Sequence, residues 1–121
     1  AELAAGLKQS HWMWFIFPQL SGLGRSPTAK FFGIASNKEA LAYLVHPLLG
    51  ARLREAVEVV LPWSRRRTAE QIFGSIDSLK LRSSLTLFDA VEPRGLFERG
   101  LVAFYDGAPD EQTLALLNGQ Q

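Results

Sequence analysis

Apolar residues recur along this chain at intervals of three and four positions, which is the period of an amphipathic helix. One such stripe follows Pro47, and another follows Asp77. No segment shows the strict alternation that is typical of a half-buried β-strand, so the pattern predicts an all-α protein. The predicted buried stripes are Leu41, Leu44 and Val45; Leu49, Leu53, Val57 and Val60; and Leu81, Leu85 and Phe88.

Capping residues, prolines and glycines divide this pattern into short helices. Thr68 and Gln71 match the reciprocal capping box and start a short helix that Gly74 ends. The other predicted capping residues are Ser26, Asn37, Asp77 and Asp110. After a first helical stretch that Pro18 ends, the predicted helices span residues 27–32, 38–45, 47–61, 69–73, 78–90, 96–105 and 111–117. We therefore predict seven or eight short helices in one compact bundle, with the helix over 47–61 the longest.

Length and composition indicate a single globular domain over residues 1–121. The chain is 47% hydrophobic and 21% charged, its net charge is +1, and it contains no cysteine. A charge so near zero favours neither nucleic acid nor an anionic membrane as a partner. The lack of cysteine fits a cytoplasmic protein. Because the helical pattern is already under way at Ala1, we expect a further helix upstream of it.

The segment from Ser10 to Gln19 carries the first candidate site, since large aromatic side chains stand there beside a few polar ones. His11 is the best candidate for a general acid or base. Lys8 lies three residues before it and suits an anion, and the indole of Trp14 offers a surface for stacking. Two alternatives stay open. Ser10 can instead cap a second short helix, and the aromatic residues can simply belong to the core.

A second candidate lies on the predicted helix over 78–90, where Lys80, Ser83 and Ser84 share one side. A lysine and two hydroxyls suit an anion or another polar ligand. Serine within a helix competes with the backbone for hydrogen bonds, so its presence there calls for a reason. The alternative reason is that small residues allow close helix packing.

Three further motifs give weaker signals. Gly22 and Gly24 precede a predicted helix, but the full spacing of a phosphate-binding loop is missing. The run Arg65–Arg67 could contact phosphates, but three arginines are more typical of a solvated loop, and no wider basic surface accompanies them to indicate nucleic-acid binding. His46 precedes Pro47 and is expected to end a helix. Two histidines without cysteine predict no metal site.

Short motifs spread over nearly the whole chain carry a family resemblance. They are Lys8 and the run 10–19, then residues 22–24, 26, 39–40, 42–44, 46–47, 49–50, 52–53, 72–74, 77, 80–81, 83–84, 86–88 and 113–114. Together they resemble a family of small, mainly bacterial proteins known only as a domain of unknown function, some of whose members are called calpastatin. The resemblance implies an all-helical domain with a further N-terminal helix, and it implies no reaction. Leu85 departs from the family pattern, which usually has methionine there.

We therefore expect one polar–aromatic pocket for a small anionic ligand that is phosphate-bearing or nucleotide-like. Its predicted residues are Lys8, Ser10, His11, Trp14, Gln19, Lys80, Ser83 and Ser84. The sequence indicates no cofactor and leaves open whether the domain is an enzyme. If it is one, His11 is the acid or base, and Lys80 stabilises negative charge. The alternative is a protein-interaction module without enzymatic activity, whose partner the sequence does not identify.

Overall fold

The computed structural model describes residues 17–18, 34 and 36–118. Residues 36–118 form six α-helices and one 3₁₀ helix. They are α1 (Asn37–Val45), α2 (Leu49–Val60), the 3₁₀ helix (Leu61–Arg65), α3 (Ala69–Phe73), α4 (Ser75–Val91), α5 (Leu96–Tyr105) and α6 (Glu111–Asn118). The predicted compact all-α fold is confirmed. Seven or eight short helices were predicted for the whole chain. The described part of it contains six α-helices and one 3₁₀ helix. None of these helices is long and apolar enough to cross a membrane.

Helix α4 lies at the centre of the fold, and α1, α3, α5 and α6 all pack against it. The predicted stripe of Leu81, Leu85 and Phe88 is buried as expected. Leu87, which lies outside that stripe, is buried as well, because helices cover α4 on more than one side. The ring of Phe88 lies between Tyr43 and Phe97, with centroid distances of 5.6 and 5.5 Å. These aromatic contacts join α1, α4 and α5.

Local hydrogen bonds fix where several helices begin. The predicted capping box is confirmed, since Thr68 Oγ1 accepts from the Gln71 backbone N–H and Gln71 Oε1 accepts from the Thr68 N–H. Asp110 caps α6 as predicted, because its Oδ2 accepts from the Thr113 N–H at 2.9 Å. Ser36, rather than the predicted Asn37, caps α1, and its Oγ accepts from the N–H of residue 39 at 3.3 Å.

The start of α4 also differs from its prediction. This helix begins at Ser75, so Asp77 lies within its first turn instead of capping it. Gly74 ends α3 and leads straight into α4 with φ of 84°, a backbone conformation that favours glycine. The prediction that the helix over 47–61 is the longest is wrong. Among the described residues, α4 is the longest helix with 17 residues, whereas α2 has 12. Helix α2 begins only at Leu49, because the preceding His46 Nδ1 accepts hydrogen bonds from the N–H groups of residues 48 and 49.

The predicted buried face of α1 is only partly right. Leu44 is buried together with Ala40, which stands one turn earlier on the same face. Leu41 and Val45 are 50% and 72% exposed, although the pattern predicts them to be buried. The helix therefore turns its Ala40–Leu44 face towards the core. Apolar character alone does not identify the buried face, because apolar residues stand on both the buried and the exposed face of α1.

An ion pair connects α2 to the end of α4. Arg54 donates two hydrogen bonds to Glu92, Nη1 to Oε2 at 2.7 Å and Nη2 to Oε1 at 2.9 Å. The same guanidinium lies 5.9 Å from the ring centroid of Phe97. The spacing within α2 predicts a pair with Glu58, but the paired carboxylate belongs to a residue 38 positions further along the chain. The bidentate geometry fixes the orientation of α2 relative to α4.

We predict that Gly50→Ala destabilises the fold far more than Gly100→Ala. A Cβ at position 50 would collide with the carbonyl oxygen of Leu44, and this backbone atom has little freedom to move. A Cβ at position 100 would meet only the terminal methyl groups of Leu85, at 3.0 and 3.1 Å. Urea unfolding should show a loss of about 3 kcal/mol for the first variant and about 1 kcal/mol or less for the second. Equal losses would contradict the close contact between α1 and α2.

Candidate functional site

The predicted site residues divide into two groups in the structure. Lys80, Ser83 and Ser84 all lie on α4, as expected. The remaining ones lie outside the described residues, so their predicted role stays a prediction: Lys8, Ser10, His11, Trp14 and Gln19.

Lys80 is a largely buried cation one turn before Ser84. Its side chain is 23% exposed, and its Nζ lies 3.4 Å from Oδ1 of Asp77, whose side chain is 14% exposed. This distance is longer than that of a short charge-assisted hydrogen bond. Lys80 and Asp77 thus form an ion pair on the first two turns of α4.

The two neighbouring serines differ in their hydrogen bonding. Ser83 Oγ donates to the carbonyl oxygen of Leu79 on the same helix at 3.0 Å. Ser84 is only 1% exposed, and its Oγ has no hydrogen-bond partner in the structure as far as residues 17–18, 34 and 36–118 describe it. A buried hydroxyl without a partner costs free energy, and most buried polar groups avoid that cost. Ser84 is therefore the group on α4 that a ligand would satisfy.

The other buried hydroxyls of α4 all have structural partners. Thr86 Oγ1 donates to the Arg82 carbonyl oxygen and accepts from the Asp110 N–H, both at 2.8 Å, which ties α4 to the start of α6. The Ser78 Oγ lies 3.2 Å from the hydroxyl oxygen of Tyr105, and that hydroxyl donates to the Ser78 carbonyl oxygen at 2.6 Å. Burial raises the pKa of Tyr105 to about 12, so this hydroxyl stays protonated and remains a donor. These contacts hold the helices together and leave no role for a ligand.

The described end of the aromatic segment lies close to the start of α4. Phe17 and Pro18 are both buried, and the Phe17 ring stands edge-on to Phe73 with centroids 6.0 Å apart. Phe73 is the last residue of α3, and Gly74 separates it from α4. The chain therefore reaches the α3–α4 junction shortly after the predicted polar residues of the first segment.

A second group of polar residues lines a groove that the sequence did not indicate as a site. Where the 3₁₀ helix meets α5, a cavity of about 810 Å³ is bordered by Leu61, Pro62, Trp63, Ser64, Arg65, Arg66, Arg99 and Ala103. A neighbouring cavity of about 290 Å³ shares Ser64, Arg65, Arg66 and Ala103 with it and adds Arg67, Thr68, Gln71 and Phe104. The run of arginines was the available signal. Arg99 lines the same cavity but lies more than thirty positions further along the chain, so only the fold brings it close to Arg65 and Arg66.

Asp89 is the other buried polar group that lacks a partner. Its Oδ1 is buried and accepts no hydrogen bond within the described part of the chain. Burial raises the pKa of this carboxyl, and the negative charge of Glu98 raises it further, while a hydrogen bond from the backbone of Arg94 lowers it. Asp89 lies in the last turn of α4, beyond Ser84. An ionised carboxylate repels an anion, so Asp89 is no part of the predicted anion site.

Residues 36–118 thus form an all-helical fold, and within the described part of the chain its central helix carries one buried hydroxyl without a partner, that of Ser84. The chain belongs to the family described as protein of unknown function DUF1810, whose model matches residues 1–117. It is similar to the crystal structure of the conserved hypothetical protein Rv1873 from Mycobacterium tuberculosis, with 50% identity and a TM-score of 0.89. That match covers 97% of this chain and 84% of the mycobacterial one. No curated protein matches the chain.

We predict that Ser84→Ala stabilises the protein when no ligand is bound. The substitution removes a buried hydroxyl that has no partner, so the free energy of unfolding should rise by about 1 kcal/mol. Ser83→Ala is the matched control on the next residue. It removes a hydrogen bond to Leu79 and should leave stability unchanged or lower it by up to about 1 kcal/mol. Denaturant unfolding in a buffer without phosphate measures both, and a loss of stability in Ser84→Ala would contradict the prediction.

We also predict that Asp89→Asn stabilises the protein at neutral pH but not in acid. Because the pKa of Asp89 is raised in the folded state, its ionisation costs stability above that pKa, and this cost disappears once the carboxyl is protonated. The asparagine carbonyl still accepts from the backbone of Arg94. Urea unfolding at pH 7 and at pH 4 should show a gain that shrinks as the pH falls. A gain of equal size at both values would mean that the carboxyl titrates normally.

Proposed function

We propose that this domain binds a small anionic ligand, phosphate-bearing or nucleotide-like, beside the middle of α4. The observation that carries the proposal is the buried and unpartnered Oγ of Ser84 one turn from the cationic Lys80. A phosphate oxygen accepts hydrogen bonds from both a hydroxyl and an ammonium group, so one anion would satisfy the serine and contact Lys80 alongside Asp77. The residues proposed to complete the site are Lys8, Ser10, His11, Trp14 and Gln19.

Two further features support this arrangement. Phe17 packs against Phe73 immediately before α4, so this described residue of the aromatic segment lies near the start of the helix that carries Lys80. In the proposed site the anion contacts Lys80 alongside Asp77, whose Oδ1 lies 3.4 Å from Nζ. In this proposal Trp14 stacks on a planar part of the ligand. Should the ligand react there, His11 would transfer the proton, and Lys80 would stabilise negative charge.

We expect inorganic phosphate, AMP or glucose 6-phosphate to raise the melting temperature of the wild-type protein. A ligand at about 100 times its Kd adds about 2.7 kcal/mol to the stability of the folded state. The rise should disappear in Lys80→Ala and in His11→Ala, because each loses a proposed contact. Lys38→Ala is the matched control, since Lys38 is an exposed lysine on α1 and outside the proposed site. It should keep the full rise.

The same measurement decides against the proposal if none of the three compounds shifts the folded wild-type protein. A shift of equal size in Lys80→Ala and Lys38→Ala would also contradict it, because the ligand would then bind elsewhere. Ser84→Ala adds a readout that a purely structural role would not give. It should weaken ligand binding while it strengthens the unliganded fold, and a structural serine has no reason to do both.

The second candidate function is a protein-interaction module, and one observation favours it. Leu41 and Val45 lie one turn apart on α1 and are 50% and 72% exposed. Apolar side chains exposed side by side are typical of a surface that contacts another protein. In this alternative, anions cause no shift, and Leu41→Ser with Val45→Ser abolishes partner binding without lowering stability. We further propose a bacterial and cytoplasmic origin, because the similar structure is bacterial and the chain has no cysteine.

A further inference from the structure

The groove between the 3₁₀ helix and α5 concentrates positive charge on an apolar base. Arg65, Arg66 and Arg99 are exposed at its edge, and Arg67 lies half-buried at one end. Among the described residues that line its two cavities, none is acidic. With these four arginines set aside, the net charge of +1 becomes −3 for the rest of the chain. The groove is therefore a local positive site on a molecule that is otherwise slightly acidic.

Local structure holds this charge in place. The Arg66 and Arg67 backbone N–H groups both donate to the Trp63 carbonyl oxygen, at 2.9 and 2.8 Å. These bonds close the 3₁₀ helix and fix the backbone from which the arginines project. The Arg67 guanidinium lies 5.6 Å from the ring centroid of Trp63, within the range of a cation–π contact. Adjacent arginines repel one another, and a bound anion would relieve that repulsion.

We propose that this groove is a second ligand site, for a small molecule that carries two or more linked phosphates next to a planar ring, such as a nucleoside diphosphate. Guanidinium groups bind phosphate oxygens in pairs of parallel hydrogen bonds, and several arginines along one groove suit several phosphates. The cavity of about 810 Å³ is within the usual size of small-molecule sites. Leu61, Pro62 and Trp63 supply the apolar surface against which a planar ring would lie.

This inference goes beyond the function proposed above, because the two sites share no residue. The α4 site uses Lys80 and a buried hydroxyl, whereas the groove uses exposed arginines from the 3₁₀ helix and α5. An acidic peptide would also meet positive charge here. We favour the linked phosphates because the charges surround a cavity of small-molecule size and lie beside Trp63.

Calorimetric titration of the wild-type protein with ADP, pyrophosphate and adenosine tests the proposal. We expect ADP to bind more tightly than pyrophosphate by at least about threefold, and adenosine to bind most weakly, since phosphates and ring both contribute. Arg66→Ala and Arg99→Ala should each raise the Kd for ADP about tenfold or more, because each removes hydrogen bonds to a charged group. Both residues are exposed, so their replacement should not disturb the fold.

Arg52→Ala is the matched control. Arg52 is an exposed arginine near the start of α2, whereas the groove adjoins the end of that helix. Its replacement should change the Kd for ADP less than twofold. If Arg52→Ala raised the Kd for ADP as much as Arg66→Ala and Arg99→Ala do, general electrostatic attraction would explain the binding. That result would overturn the proposal. A loss in Lys80→Ala with none in the two groove variants would move the nucleotide to α4 and likewise overturn it.

Three other results would also count against the groove. Absence of ADP binding by the wild-type protein would show that the groove does not take linked phosphates. Equal affinity for ADP and pyrophosphate would remove the planar ring from the proposal. Tighter binding of an oligoglutamate peptide than of ADP would identify the groove as an acidic-peptide site instead.

Discussion

The burial of α4 determines the rest of this structure. Four helices pack against α4, so the polar side chains at its buried positions must find partners inside the protein rather than in water. Thr86 meets this requirement by binding the start of α6, and Ser83 meets it on its own helix. Within the described part of the chain, Ser84 Oγ does not meet it, and neither does Asp89 Oδ1 near the end of α4. Such buried exceptions are physically more informative than a cluster of exposed polar residues, because only a buried group carries this cost.

The same crowding sends the charged groups to the edges of the bundle. Arg54, in the middle of α2, reaches Glu92 at the end of α4, and both side chains keep partial contact with water. The arginines of the groove lie where the 3₁₀ helix ends and meets α5. Water screens such exposed charges, so they add little to stability but remain available to a partner. The buried centre thus favours close packing, and the proposed groove lies at the edge of the bundle, where its arginines stay in contact with water.

Local sequence signals predicted the local features of this fold well. The capping box at Thr68 and Gln71 and the cap at Asp110 depend only on residues three positions apart, and both are confirmed. The orientation of α1 was not predictable in this way, because Leu41 and Val45 are as apolar as Leu44 and only tertiary packing separates them. Lys80, Ser83 and Ser84 were predicted from helical spacing, but the difference between the two serines depends on which neighbours surround them. Arg99 was missed because its proximity to Arg65 and Arg66 arises from the fold.

The two candidate sites select for different ligand chemistry. A hydroxyl that is 1% exposed can contact only a group that has shed its water, so the α4 site favours a small anion whose desolvation is offset by Lys80. The groove keeps its guanidinium groups in water, so a ligand there gains its affinity from several phosphates together and from contact with Trp63. Salt weakens interactions between exposed charges much more than those of buried ones. The ionic strength of the medium therefore separates the two sites physically, even for ligands that contain the same phosphate group.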